Sequence, residues 1–205
     1  MGRMYSMVKQ GMQDVSNNKY GSGREALLKA TIEVVGQRGL HGLTFRAVAE
    51  LANVNNSLVS YHFGNKDTLL REAVHWAVSY AITLSDFSDL EKRSDNFAQN
   101  LVDFVKNDPN LHIFQYEFIL ESRRRPELKC EATALYEAYI DTLEKVLIQH
   151  GHANSRPLAR AVFAALDGLI FQQLTLGDPN SIQQAIGCIG ELLKGHLLVT
   201  SQSKF

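Results

Sequence analysis

Residues 44–54 read Thr44-Phe45-Arg46-Ala47-Val48-Ala49-Glu50-Leu51-Ala52-Asn53-Val54, and after Asn55-Asn56 the chain continues Ser57-Leu58-Val59-Ser60-Tyr61-His62-Phe63-Gly64-Asn65-Lys66-Asp67-Thr68-Leu69-Leu70. Thr44 is placed to cap a short helix whose inner face carries Phe45, Val48, Ala49 and Ala52. Asn53 stands where that helix must turn, and asparagine is one of the few residues with a Cβ that enter the left-handed region at modest cost. Asn55 then caps a second short helix, with Val54 and Val59 spaced as a hydrophobic staple across its first turn. Two short helices meeting at a tight corner have helix-turn-helix spacing. In that arrangement the second helix can enter a DNA major groove because it is held from behind.

The outward side chains of the second helix carry the functional reading. Asn55, Asn56, Ser57, Ser60, Tyr61 and His62 offer hydrogen-bonding groups with no carboxylate among them, so phosphates are not repelled. Asparagine can bond bidentately to adenine, serine can reach several base edges, and Leu58 can touch a thymine methyl. Lys66 opens the next helix within reach of the same strand, and Thr44 offers a hydroxyl and a helix N-terminus to a phosphate. A polar outer face is also the default for any surface helix, so spacing alone leaves DNA binding and a plain all-α corner both open.

Upstream, Ser22-Gly23-Arg24-Glu25 has capping-box spacing, Leu27, Ala30, Val34 and Val35 share a face, and Gly39 can close the end. This predicts a helix over 22–38, preceded by a polar, flexible arm over residues 1–21. Downstream, the four prolines, Pro109, Pro126, Pro157 and Pro179, each sit where a helix can begin, with Asp or Ser nearby as a cap in three of them. Apolar residues between them recur at helical spacing, as in Leu135, Tyr139, Leu143 and Val146, and no strand alternation is convincing. The chain reads as all-α: a three-helix head with helix-turn-helix spacing over 22–66, then a helical bundle over 67–205.

Composition bounds the rest. The 205 residues carry a net charge of -1, but residues 1–75 hold nine Lys/Arg against six Asp/Glu and residues 76–205 twelve against sixteen. The front is basic and the remainder acidic. Cys130 and Cys188 stand far apart, which argues against a disulfide scaffold or cysteine-rich zinc site, and His150 and His152 flanking Gly151 lack a second ligand cluster. No metal and no cofactor are expected. Nor is a membrane span or signal peptide, so a cytoplasmic protein is expected.

The bundle is rich in aromatics, most of which are core on frequency alone. Polar groups among them look like a small-molecule cavity, with Trp76, Tyr80, Phe104, Phe114, Gln115, Phe118, Tyr139, Phe163 and Asp167 as the candidate lining. Arg123-Arg124-Arg125 fits cations at a helix C-terminus, with an anion site as the lesser reading. Two helices near 155–176 and 179–198 carry apolar residues on more than one face, among them Leu158, Val162, Leu166, Leu169, Ile170, Ile186, Ile189 and Leu193. Such helices need cover on two sides, from within one chain or from a second copy.

Residues 24–75, and above all Tyr61-His62-Phe63 followed by Lys66, Leu69 and Leu70, resemble the DNA-binding domain of the tetracycline-repressor (TetR) family of bacterial transcriptional regulators. The chain departs from the family's usual pattern: Asn53 replaces a frequent turn glycine, Asn55 a frequent serine, Ser57 a frequent glycine, and Ser60 the usual aromatic. The resemblance implies that Tyr61, His62 and Lys66 hold the DNA backbone while Asn55, Asn56, Ser57 and Leu58 face bases. The full expected contact set is Thr44, Arg46, Asn55, Asn56, Ser57, Leu58, Ser60, Tyr61, His62 and Lys66. It further implies a fourth helix that transmits ligand binding to the head, and a homodimer through the last two helices. The expected function is a repressor, not an enzyme, that binds a palindromic double-stranded operator and is released by a small-molecule inducer. The rival readings are a small-molecule-binding protein or enzyme whose head is not used, and a nonspecific DNA-compacting protein. The second of these would need a larger basic surface.

Overall fold

Helix α1, Gly21–Arg38, opens the computed structural model, which describes residues 21–85, 87, 90, 96–153 and 155–202. The expected arm and the Ser22 side chain therefore lie outside the described residues, Gly21 apart. Leu27, Ala30, Val34 and Val35 are buried as their spacing predicts, and the Thr31 hydroxyl donates to the Leu27 carbonyl at 2.8 Å, which lets a polar residue sit in the core. Helix α2, Phe45–Leu51, starts where Thr44 accepts the Ala47 N–H at 3.0 Å. It buries Ala47, Val48 and Ala49.

The corner behind α2 is made by Asn53, at φ 53° the one non-glycine residue with positive φ among those described. Helix α3, Asn56–Phe63, follows and buries Val59 and Phe63. Helix α4 runs over Lys66–Ser85, with Asn65 accepting the Thr68 N–H at 2.9 Å. Arg24 of α1 pairs with Glu72 of α4 and lies 4.9 Å above the Phe63 ring, so one guanidinium ties three helices. The chain forms two compact units, the first ending at Ala73 and the second beginning at Val74, rather than dividing at residue 66. Leu69, Leu70 and Ala73 are buried and Glu72 is tied to α1, so the first two turns of α4 belong to the head.

The second unit contains α5 (Asn96–Asn107), α6 (Pro109–Ser122), α7 (Lys129–Gln149), α8 (Ser155–Leu176) and α9 (Pro179–Gln202). Helix α8 packs along α7 and α9, α9 along α5, and α6 on α5 and α7. Phe114, Phe118, Leu128, Ile140, Leu143 and Leu147 are almost wholly buried and form the core. On the surface, Arg156 of α8 pairs with Glu137, Asp141 and Glu144 of α7, and Arg160 with Glu137 at 2.6 Å. Arg124 and Arg125 pair with Glu121 and Glu127 past the end of α6. Asp178 accepts the Ser181 N–H at 3.3 Å and caps α9, whereas Asp108 makes no side-chain cap and Pro109 alone sets the start of α6.

One expectation changes here. Val162, Leu166, Ile186 and Leu193 are 2–5% exposed within the single chain, so they are its core and not a surface for a second copy. Leu158, Leu169, Ile170 and Ile189 stay half-exposed. Gly190 is small for a reason within the chain, because a Cβ there would stand 2.7 Å from the Leu90 carbonyl oxygen.

Asn53 carries the corner on which α3 depends. Asn53→Gly is expected to leave stability unchanged or raise it slightly, and Asn53→Ala to lower it by about 1 kcal/mol through left-handed strain. Denaturant unfolding of the two variants checks this ordering.

Candidate functional site

The polar face of α3 turns outward because Val59 and Phe63 occupy the opposite face. Asn55, Asn56, Ser57 and Ser60 are exposed, Leu58 and His62 half-buried, and Tyr61 is 79% exposed. No acidic residue lies in the first turn. Asn55 is committed locally: its Oδ1 accepts the Ser57 N–H at 2.9 Å and the Ser57 hydroxyl at 3.0 Å. Reading adenine bidentately needs that same oxygen, so Asn55 serves as the cap, while Asn56 is exposed. Tyr61 stands edge-on to His62 at 5.4 Å, a large ring held in water near the end of α3.

The flanking residues divide in the same way. Lys66 is exposed and enters no ion pair among the described residues. Arg46 is exposed but bonded to Glu50 at 2.8 Å, so contact with a phosphate requires exchanging one anion for another. The Thr44 oxygen accepts the Ala47 N–H, which leaves its hydroxyl hydrogen to donate.

Within the second unit a small cavity of about 30 Å³, partly open to solvent, is lined by α6, α7 and α8 together with Ser85, Phe87 and Leu101. Of the expected lining it includes Gln115, Tyr139, Phe163 and Asp167. Phe114 and Phe118 are fully buried on the opposite face of α6, Phe104 packs edge-on against His112, and Trp76 and Tyr80 stack on each other at 4.8 Å. None of these five lines the cavity. In their place come His112, Tyr116 and Ile119, which share the Gln115 side of α6 at helical spacing, and Tyr136 of α7.

Polar groups in the cavity are arranged unevenly. The Tyr139 hydroxyl donates to Gln115 Oε1 at 3.0 Å, leaving the buried Gln115 Nε2 without a partner. The buried His112 Nε2 also has none, and burial holds the His112 imidazole down at about 4, hence neutral near pH 7. The Tyr116 hydroxyl donates to Asp167 Oδ1 at 2.9 Å and to the Asp167 carbonyl at 3.0 Å. Burial raises Asp167, and the Tyr116 bond opposes that rise. Burial and the Asp167 charge push the Tyr116 phenol well up, fixing it as a donor.

Residues 27–73 match the family described as bacterial regulatory proteins, tetR family, and residues 92–193 the tetracyclin repressor-like C-terminal domain. The HTH-type transcriptional regulator BetI of Burkholderia ambifaria is 38% identical over 200 residues, covering 88% of this chain and 93% of that protein. The chain belongs to the TetR family of bacterial transcriptional regulators. Among solved structures, the multidrug binding protein EbrR complexed with proflavin shares 30% identity at a TM-score of 0.56, covering 83% of this chain and 99% of EbrR. A TetR-family member from Streptomyces coelicolor shares 28% at a TM-score of 0.63, covering 82% and 97%. The TetR head match spans most of α1, then α2, α3 and the first turns of α4, the elements whose geometry is set out above.

Elsewhere, no described helix is long and apolar enough to cross a membrane, and no described group of three or more His, Cys, Asp or Glu could hold a metal. His150 Nδ1 lies 2.9 Å from the Val146 carbonyl, while His152 stands against His196, so the histidines flanking Gly151 do not converge.

His112 sets a pH dependence. Its folded value lies below the unfolded one of about 6.5, so the unfolded chain takes up the proton first and stability falls between roughly pH 6.5 and 4. His112→Gln is expected to remove up to about 3 kcal/mol of that fall. Denaturant titrations across this window check it, and equal slopes for the two proteins would contradict it.

Proposed function

We propose that this TetR-family regulator is a homodimeric repressor that reads a palindromic operator with α3 of each copy and is released when a small molecule enters the α6–α8 cavity. The observation that carries the reading is α3 itself, an eight-residue helix pinned by Val59 and Phe63 with Asn56, Ser57, Ser60 and Tyr61 exposed. Thr44, Tyr61, His62 and Lys66 are assigned to the backbone, and Asn56, Ser57 and Leu58 to base edges. Arg46 joins them by releasing Glu50. Asn55 acts by holding the helix start, and Ser60, where the family usually has an aromatic, leaves ring contacts to Tyr61.

A second copy would cover the outer face of the last two helices. Ala161, Ala165, Gln172 and Leu176 share one side of α8, with Leu176 74% exposed, and Leu192 of α9 is 74% exposed. Half-exposed Leu158, Leu169 and Ile189 and exposed Phe171 extend this apolar surface, whereas Ile170 lines the α6–α8 cavity instead. A twofold axis supplies two reading helices, which a palindromic site requires. EbrR, a relative solved with proflavin, supports a small molecule as the effector. The activity is binding, exercised in the cytoplasm, and the required coupling is about 1–3 kcal/mol.

Tyr61→Ala with Lys66→Ala is expected to abolish retention of DNA that the wild-type protein holds, with dimer mass unchanged. Asn56→Ala is expected to cost about 1–3 kcal/mol on the preferred site and relax base preference there. Leu176→Arg with Leu192→Arg is expected to give a folded monomer. Gel retardation and sedimentation check these outcomes, and full DNA affinity in the first variant would overturn the assignment.

A further inference from the structure

His152 and His196 stand 44 residues apart in sequence, and the fold brings their rings together within the second unit. Their Nδ1 atoms face each other at 3.4 Å, with ring centres 5.6 Å apart. A hydrogen bond from an N–H centres nearer about 2.9–3.0 Å. Two imidazole nitrogens on one tetrahedral ion, each at the usual zinc distance of about 2.0–2.1 Å, stand about 3.3–3.4 Å from one another. The observed separation matches the second arrangement better than the first.

The local fold prepares this pair. His152 is almost wholly buried, in the corner between α7 and α8, and backbone bonds fix its place. Its N–H donates to the Leu147 carbonyl at 3.0 Å, the Gly151 N–H donates to the Ile148 carbonyl at 3.0 Å, and Gly151 takes φ 90°, where a side chain would be strained. His196 projects from α9 one turn past Leu192 and is exposed. One ring is therefore held by the fold and the other is reached from water, which gives an ion an entry path. His150 lies against the Val146 carbonyl at 2.9 Å and takes no part.

Imidazole nitrogen suits zinc, nickel and copper ions, whereas magnesium and calcium take oxygen. No third His, Cys, Asp or Glu joins the pair among the described residues, so the remaining coordination positions fall to water. We propose that His152 and His196 bind one divalent transition-metal ion of this nitrogen-preferring group through their Nδ1 atoms, clasping the α7–α8 corner to α9. Each ring then keeps its single proton on Nε2. The site is separate from the α6–α8 cavity and from α3, and does not rest on the function proposed for them.

Zinc chloride is the probe. The full-length protein, freed of metal with a chelator, is titrated in a calorimeter and melted with and without zinc. One ion per chain and a higher melting temperature with zinc are expected, because an ion held only by the folded state stabilises it. Magnesium chloride is expected to do neither. His196→Gln, at an exposed position, is expected to weaken zinc at least about tenfold and to cancel the melting shift. His152→Gln is expected to do the same, read as the shift zinc causes, since losing a buried ring changes the melting temperature by itself. His150→Gln, and Cys130→Ser with Cys188→Ser, are expected to leave zinc affinity unchanged. No zinc uptake, undiminished uptake in His196→Gln, a comparable loss in either control variant, or half an ion per chain, which would draw the ligands from two copies, overturns the inference.

Discussion

An eight-residue helix has no stability of its own in water, because the cost of nucleating it exceeds what so few hydrogen bonds return. Helix α3 exists because Val59 and Phe63 are buried beneath it and Asn55 closes its first turn. Everything functional about the head follows from that constraint. With the apolar side fixed inward, the remaining residues are forced outward together in one orientation, and base reading needs such a fixed orientation. Arg24 reinforces it from a distance by holding the Phe63 ring and Glu72 at once.

The head was legible in the sequence because its determinants are local. Caps act over two or three residues, so Thr44 and Asn55 could be read as such, and the one backbone strain fell on a residue type that tolerates it, Asn53 at φ 53°. Asn55 was harder to read, since the oxygen that caps the helix is the one a bidentate contact with adenine would need. Only the observed hydrogen bonds resolve the conflict in favour of the cap.

The bundle was legible as helices and much less so as a site. Phe114 and Gln115 are neighbours in sequence and face different surroundings, because one helical step turns a side chain by about 100°. Once Gln115 faces the cavity, His112 and Ile119 follow by spacing, but nothing local says which side of α6 meets empty space. The last two helices posed the same problem. Their double apolar character was visible, but the assignment of Val162, Leu166, Ile186 and Leu193 to the core, and of Leu176 and Leu192 to the surface, depends on where α5 and α7 pack. Asp167 stood out as polar among apolar neighbours. Its lack of a counter-charge is a property of the assembled unit and of no sequence window.

In the proposed function, α3 reads base sequence as one half of a symmetric pair. Enrichment of random DNA fragments by the purified protein, at a stated salt concentration, tests it most directly. Recovery of a short inverted repeat whose half-sites are spaced by whole helical turns is expected, as two fixed reading helices require. Retention of all fragments alike, or of a single unrepeated half-site by a monomer, would contradict it.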